Sequence, residues 1–562
     1  MNSADPAPQA RIWQPVEWLG IALAYLALAL VATYPLIRHI ATHVVGAGDT
    51  LNNIWNLWWL PWAVTHRLNP FYSHMLYHPD GVTLAYHTLS PFNGFLSLVL
   101  HAGLGLNLVT TYNVITLFTF VASGLSTAAL AHHVSGSRMG AFIAGIVFAF
   151  SPYRLSRVYY GHFILYATQF VPLVTLFLIR LAARPRWRDA ACAACALALT
   201  AWCSLELAFG AALFGAMLGG FGLFETKHRA SYLKQWLIFL LLTLLLTSPL
   251  LVAMWDAHHD YTDQTTAPHA AISNSVDLLG FVVPDQSTVV SVLERSALAP
   301  IARAIRGVNA AYAGNPGEKQ AFVGYAVLII TGFAVVTGGA VIRKWVALAA
   351  VPALLALGPV MHVAGRVYSA LPYSLFFHIP LIGFGRSPNR LALLVTLALA
   401  VVVALACAMF ERHRLRLRWV AFLAGAIIFV EYLAIPMRVD DRMLRIPEYY
   451  YELARETGTG AILDVPIDLY GAPGPASSYM LYQTVHQRPI VGGYISRTPT
   501  KALHPFGRPF LYALRARIYD DTEPYAFSPD NLGSALDDLM LLDVEYVILH
   551  KDEVDEPDET VL

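Results

Sequence analysis

Asp49 opens the segment GDTLNNIWNLWWLPWAV. At 100° per residue, Asp49, Asn52, Asn53 and Asn56 share one stripe of a helix, and Trp55, Trp58, Trp59 and Trp62 share another roughly 120° away. A carboxylate beside three amides has the chemistry to take a proton from a hydroxyl and to hold a ligand rich in hydroxyls. The same carboxylate can cap the helix, and the two roles are compatible. Downstream, FYSHMLYHPDG adds His74, His78 and Asp80. His78 and Asp80 flank a proline, which reads first as a turn.

Two arginine-bearing segments suit an anion. SPYRLSRVYYGH carries Arg154, Arg157 and His162, and FGRSPNR carries Arg386 and Arg390. Guanidinium groups grip phosphate through paired hydrogen bonds, although arginines near helix ends also anchor spans by snorkelling. WDAHHDYTD gathers Asp256, His258, His259, Asp260 and Asp263, a donor set able to hold a divalent cation such as Mg or Mn. Glu206 stands alone in the tight turn of a helical hairpin, where an isolated carboxylate near lipid reads as functional. Cys192 and Cys195 have CxxC spacing on an apolar run, which reads as packing, and Cys203 and Cys407 form no disulfide framework with them.

The elements that must position these groups are membrane helices. Apolar residues make up 57% of the 562 and charged residues only 13%, half the usual share, so a water-soluble fold is excluded. Apolar runs near twenty residues recur at approximately 18–38, 110–133, 139–152, 163–182, 189–204, 207–224, 236–254, 321–341, 345–363, 389–410 and 418–437. At 1.5 Å per residue such runs match a hydrocarbon core about 30 Å thick. The piece Pro91 to Leu104 is short and followed by Gly-rich HAGLGLN, so it reads as re-entrant or interfacial. Pro61 is expected to end or kink the Trp-rich helix, which then lies at the headgroup level with its indoles in the membrane surface.

Positive breaks orient the chain. Arg138, the group from Arg180 to Arg188, Lys227 to Lys234, Arg343 with Lys344, and Arg412 to Arg418 are assigned to the cytoplasm. About eleven spans follow, with residues 1–17 as a cytoplasmic head and 18–437 as the transmembrane module. Segments 39–109 (with its helix at 49–62), 152–162, 255–320, 364–388 and 438–562 then share the outer side. Residues 1–437 carry 26 Lys and Arg against 16 Asp and Glu, whereas 438–562 carry 11 against 21. The tail reads as a soluble α/β domain with strands at Ala461–Ile467, Pro489–Ile495 and Val544–His550. No clustered basic surface exists for nucleic acid.

This order of features resembles the GT-C superfamily of membrane glycosyltransferases: a first span, a long outer loop opening with an acid, a Trp-rich helix, many spans and an outer C-terminal domain. The GDT start, the GRSPNR segment and the tail stretch QTVHQRPIVGGYISR are most similar to bacterial members related to family 39 and to YfhO-like proteins. The resemblance implies a polytopic α-helical protein of the bacterial inner membrane that transfers a hexosyl or pentosyl group on the extracytoplasmic face. It implies a polyprenyl-phosphate-linked sugar donor and a glycan, lipid or protein acceptor. Asp49 matches the loop-one acid used at the acceptor or metal. On that reading Arg386, Arg390, Arg154 and Arg157 hold the donor phosphate, and Asn52, Asn53, Asn56, His78, Asp80, His162 and Glu206 line the acceptor and sugar pocket. Asp256, His258, His259 and Asp260 are the candidate metal ligands. Asp49 has no acidic neighbour to complete a DxD pair, so metal use stays open. A flippase of lipid-linked glycans and a non-catalytic envelope scaffold are the alternatives, the first disfavoured by the lack of an internal repeat.

Overall fold

The computed structural model describes residues 14–46, 48–261, 268–285, 288–312, 318–378, 386–413, 417–467, 474–508, 510–512, 514 and 532–551. The chain divides into two compact units. Met1–Arg38, Val114–Ser248 and Thr265–Arg438 form the first, a helical unit. His39–Asn113, Pro249–Gln264 and Val439–Leu562 form the second. The first loop, expected to belong with the spans, therefore joins the tail.

Among the described residues, seven helical segments are long and apolar enough to cross a membrane: Pro15–Ala32, Leu108–Ser135, Arg138–Tyr159, Phe163–Ala183, Leu205–Glu225, Arg229–Tyr261 and Pro388–Glu411. The other four expected spans fall on shorter helices, Trp187–Cys203, Tyr325–Thr337, Ala340–Ala356 and Leu417–Tyr432. The segment after Pro91 forms a short α-helix, Pro91–Ser97, continued by a π-helical turn over Leu98–Gly103. Its thirteen residues reach only about 20 Å, too short to cross.

In the helical unit the Ala392–His413 helix is the axis. Its residues from Leu393 to Ala404 are buried all round, as expected for a helix with no polar face. Close approach comes from small residues. A Cβ on Gly140 would stand 2.7 Å from the carbonyl oxygen of Ala404, so only glycine lets the Arg138–Ala149 helix reach the axis. The Arg229–Ala257 helix is as apolar but turns Leu237, Leu240, Leu241, Leu244 and Leu245 outward.

In the second unit the Thr50–Thr65 helix is buried on all sides except at its C-terminal end. Trp55 and Trp59 stack with centroids 5.4 Å apart, and Trp58 stacks on Trp62 at 5.6 Å. The Trp55 indole donates to Gln483 Oε1 at 2.7 Å, and the Trp59 indole donates to the Pro70 carbonyl at 3.0 Å. The expectation that the indoles lie in the membrane surface is thus corrected for Trp55 and Trp59: Gln483 and the Pro70 carbonyl give their N–H groups partners inside protein, so these two rings pack as core. Pro61 does not end the helix either. It frees the Leu57 carbonyl, and Ser97 Oγ donates to that oxygen at 2.7 Å. In the tail, Ala461–Val465 and Val544–Leu549 pair in parallel, while the expected strand at 489–495 contributes one parallel bridge from Ile490 to Ile462.

Candidate functional site

The helical unit gathers its candidate groups at the ends of three elements. Pro152 at the first turn and the Ser151 hydroxyl, which accepts from Arg154 N at 3.4 Å, start the Pro152–Tyr159 helix. Arg154 and Arg157, three residues apart, then share one inward face. Ser204 caps the Leu205–Glu225 helix by accepting from Leu207 N, placing Glu206 in its first turn. Pro388 opens the turn Pro388–Leu391 that leads into the axial helix and sets Asn389 and Arg390 at its head.

Glu318 joins two of these elements directly. One carboxylate oxygen accepts from Arg157 Nη1 at 2.6 Å and from the Asn389 amide at 2.7 Å. The other accepts from Arg390 Nη2 at 3.2 Å and lies 3.9 Å from His162 Nδ1. Arg390 also pairs with Glu206. Burial by itself would raise the Glu318 carboxyl, but Arg157, His162 and the Asn389 amide together hold it below the ordinary carboxylate range. Burial, opposed by Glu318 and aided by Arg157 and Arg390, lowers His162 to about 4, so the imidazole is neutral at pH 7. Two guanidinium groups thus face two carboxylates, and the cluster is balanced.

Several sequence expectations change here. Arg154 is wholly buried, and its guanidinium donates to the carbonyls of Tyr166 and Ala149 and to Thr119 Oγ1. It joins helices by satisfying carbonyls at their ends and is not placed to receive a phosphate. Arg157 is equally buried and held by Glu318, so its charge is already matched. Glu206 is not isolated, because Arg390 faces it. Arg386 has no ion-pair partner among the described residues, and its carbonyl accepts from the Asn274 amide at 3.1 Å. Glu318 escaped selection from the sequence. Nothing in the sequence set it apart, since it is one of seven acids in the expected outer segment 255–320.

In the second unit Asp49 occupies the N-cap position of the Thr50–Thr65 helix, yet its carboxylate makes no capping hydrogen bond. Its carbonyl serves the helix, accepting from Asn53 N and from the Asn53 amide at 2.7 Å. One turn on, the Asn52 amide is buried, and neither its oxygen nor its nitrogen has a hydrogen-bond partner among the described residues. A buried amide left unsatisfied costs about 1–3 kcal/mol, which is the mark of a group kept for a ligand or a bound water. Asn56 is corrected from pocket to scaffold. Its amide donates to the Thr88 carbonyl and its oxygen faces His87 Nε2 at 3.1 Å. The other His87 nitrogen accepts from Ser496 N, and burial lowers this imidazole to about 3. Asn53 is likewise committed to the helix start.

His78 donates its backbone N–H to the Ile490 carbonyl and Asp80 accepts from the Tyr72 hydroxyl through its own carbonyl, so both act as turn residues. The Asp80 side chain lines an open cleft of about 670 Å³ with Thr500, His504 and Arg508. Asp256, His258, His259 and Asp260 are exposed where the Arg229–Ala257 helix runs into a 3₁₀ turn. Consecutive positions there point in different directions, and among the described residues no three His, Cys, Asp or Glu side chains are grouped to hold a metal. The metal assignment to these four is corrected accordingly. Asp263 lies outside the described residues.

No family model and no curated protein matches the sequence. Solved structures do match. The arabinofuranosyltransferase AftD from Mycobacteria aligns with 97% of this chain at a TM-score of 0.58 and 17% identity. The fold is GT-C. A mutant of that protein aligns over 87% of the chain at a TM-score of 0.52. The archaeal oligosaccharyltransferase AglB from Archaeoglobus fulgidus covers 95% of the chain at a lower TM-score of 0.45 and 13% identity. The chain spans 36% of the length of AftD and 69% of that of AglB.

Proposed function

We propose that this protein is a membrane glycosyltransferase that moves a hexosyl or pentosyl group from a polyprenyl-phosphate donor to a glycan, lipid or protein acceptor. The observation that carries the reading is the extent of the fold likeness, 97% of the chain aligned with an arabinofuranosyltransferase. Fold does not dictate chemistry, so the assignment rests equally on residues suited to the reaction. In the proposed step Asp49 takes the proton of an acceptor hydroxyl as its oxygen bonds to the anomeric carbon. The bond from that carbon to the phosphate oxygen breaks, and the lipid phosphate leaves with the electron pair. Direct displacement inverts the anomeric centre. Within the helical unit, Arg390 and Arg386 are the cations proposed to bind a phosphate. Arg154 and Arg157 take no part, because both are committed to buried partners. Asn52 is assigned to a substrate hydroxyl.

The topology proposed with this function has eleven spans, a cytoplasmic N-terminus and an extracytoplasmic tail, in a bacterial inner membrane. Purified protein in nanodiscs, supplied with polyprenyl-phosphate pentose and hexose donors and mixed glycan and lipid acceptors, is expected to release polyprenyl phosphate and form glycosylated product by mass spectrometry. Asp49→Asn is expected to reduce that release about 10²–10⁴-fold with folding retained. Undiminished release by folded Asp49→Asn protein rejects the base. Movement of donor across the bilayer without bond formation identifies a flippase instead.

A further inference from the structure

Arg390 is shared by two carboxylates that are held in different ways. Glu318 is 5% exposed, with Arg157, Asn389 and Arg390 all donating to it. Glu206 stands in the first turn of its helix with its side chain 35% exposed, and its ion pair is with Arg390. Loss of Glu318 would strand the wholly buried guanidinium of Arg157, a costly change. Swinging Glu206 aside strands no comparable group, since Arg390 keeps Glu318.

We propose that Glu206 is the exchangeable occupant of an anion subsite on Arg390, and that a phosphate monoester or diester headgroup takes its place there. The proposal deepens the transferase reading, which supplies polyprenyl phosphate as the ligand source. A guanidinium is a planar fork with donors on two edges, so it can keep one acceptor on Glu318 while changing the other. Phosphate offers more acceptor oxygens than carboxylate and equal or greater charge, which favours it on a partly desolvated guanidinium. The exchange replaces one anion with another, so the buried balance among Arg157, Arg390 and Glu318 is undisturbed. When the headgroup departs, the carboxylate returns and leaves no bare cation at the rim. Glu318 is the positioning residue in this scheme, and Glu206 is the gate.

The test is equilibrium binding of farnesyl phosphate to the full chain in nanodiscs, with farnesol and inorganic phosphate as comparison probes. Glu206→Gln is expected to tighten farnesyl phosphate about two- to fivefold, the competition expected of one partly exposed ion pair, and to leave farnesol unchanged. Arg390→Gln is expected to weaken farnesyl phosphate at least about tenfold, as loss of a charged hydrogen bond does. Glu206→Ala serves as a second variant should the glutamine protein unfold. Equal or weaker binding in folded Glu206 variants overturns the proposal, as does a wild-type protein that binds farnesyl phosphate no better than farnesol. Equal gains for inorganic and farnesyl phosphate support the subsite and name free phosphate as its ligand. Tightened binding without sugar transfer sinks the transferase reading alone. Sugar transfer with unchanged Glu206→Gln affinity sinks this proposal alone.

Discussion

Arg157 and Lys344 both sit near the ends of membrane helices, and both pair with a glutamate. Arg157 is wholly buried against Glu318, whereas the Lys344 and Glu225 side chains stay 27% and 54% exposed at 2.7 Å. The two pairs lie at opposite ends of one helix level, for Glu206 and Glu225 begin and end the same 21-residue helix, about 30 Å apart. Two pairs of this kind are partly exposed on both sides, Lys344 with Glu225 and Arg138 with Glu17. At the Arg157 end one carboxylate serves two arginines, an amide and a histidine. Exposed pairs anchor a helix end to the interface. A shared and buried carboxylate fixes side chains in one arrangement, which is what a ligand site requires.

The sharpest way to break this comparison is to remove the two glutamates in turn. Glu318→Ala leaves the buried Arg157 charge unpaired and is expected to cost about 3–5 kcal/mol, read as a large fall in thermal unfolding midpoint or a loss of folded protein. Adding Arg157→Met to it should restore much of the loss. A Glu318→Ala protein as stable as wild type would show that the pair carries no buried charge.

A smaller effect comes from pH. His162 is lowered to about 4 in the folded protein from an ordinary value near 6.5, so the unfolded chain binds its proton first. Stability attached to this group is complete above pH 6.5 and is lost as pH falls toward 4, at no more than about 1.4 kcal/mol per pH unit. The Glu318 carboxyl is held below its ordinary range by Arg157, His162 and Asn389. His87 and His486, both lowered to about 3, add slopes of the same sign. The expected result is therefore a difference: His162→Phe should flatten the midpoint-versus-pH curve relative to wild type between pH 6.5 and 4, and parallel curves would contradict the assignment.

The smallest effect belongs to the other end. Lys344→Ala is expected to cost about 0–1 kcal/mol and to shrink further in high salt, as exposed pairs do. A loss as large as that of Glu318→Ala would erase the distinction between the two ends.

Much of this was legible in the residues. Apolar runs located a helix at every expected span, because lipid requires each crossing backbone to satisfy itself. The loop parity placed Glu206, Arg157, His162, Arg390 and the loop bearing Glu318 on one side, and these groups do meet within the helical unit. Less legible was what each arginine does. Arg154 and Arg157 have the same spacing, chemistry and neighbours in the chain, and only the carbonyls of Ala149 and Tyr166 or the carboxylate of Glu318 distinguish them. The tryptophan stripe was equally ambiguous, since an indole satisfied by Gln483, 428 residues away, looks in sequence like one meant for the headgroups.

By itself the sequence determined that this is a multi-pass membrane chain and where its helices run, since composition and periodicity are local properties that act through hydrophobic burial. Only the tertiary structure decided that the Ala392–His413 helix is the axis while the equally apolar Arg229–Ala257 helix faces outward, and that Glu318 is the carboxylate at which the charges meet. Those outcomes depend on contacts between residues far apart in the chain, such as Gly140 against Ala404 and Arg157 against Glu318, and no local pattern encodes the partner.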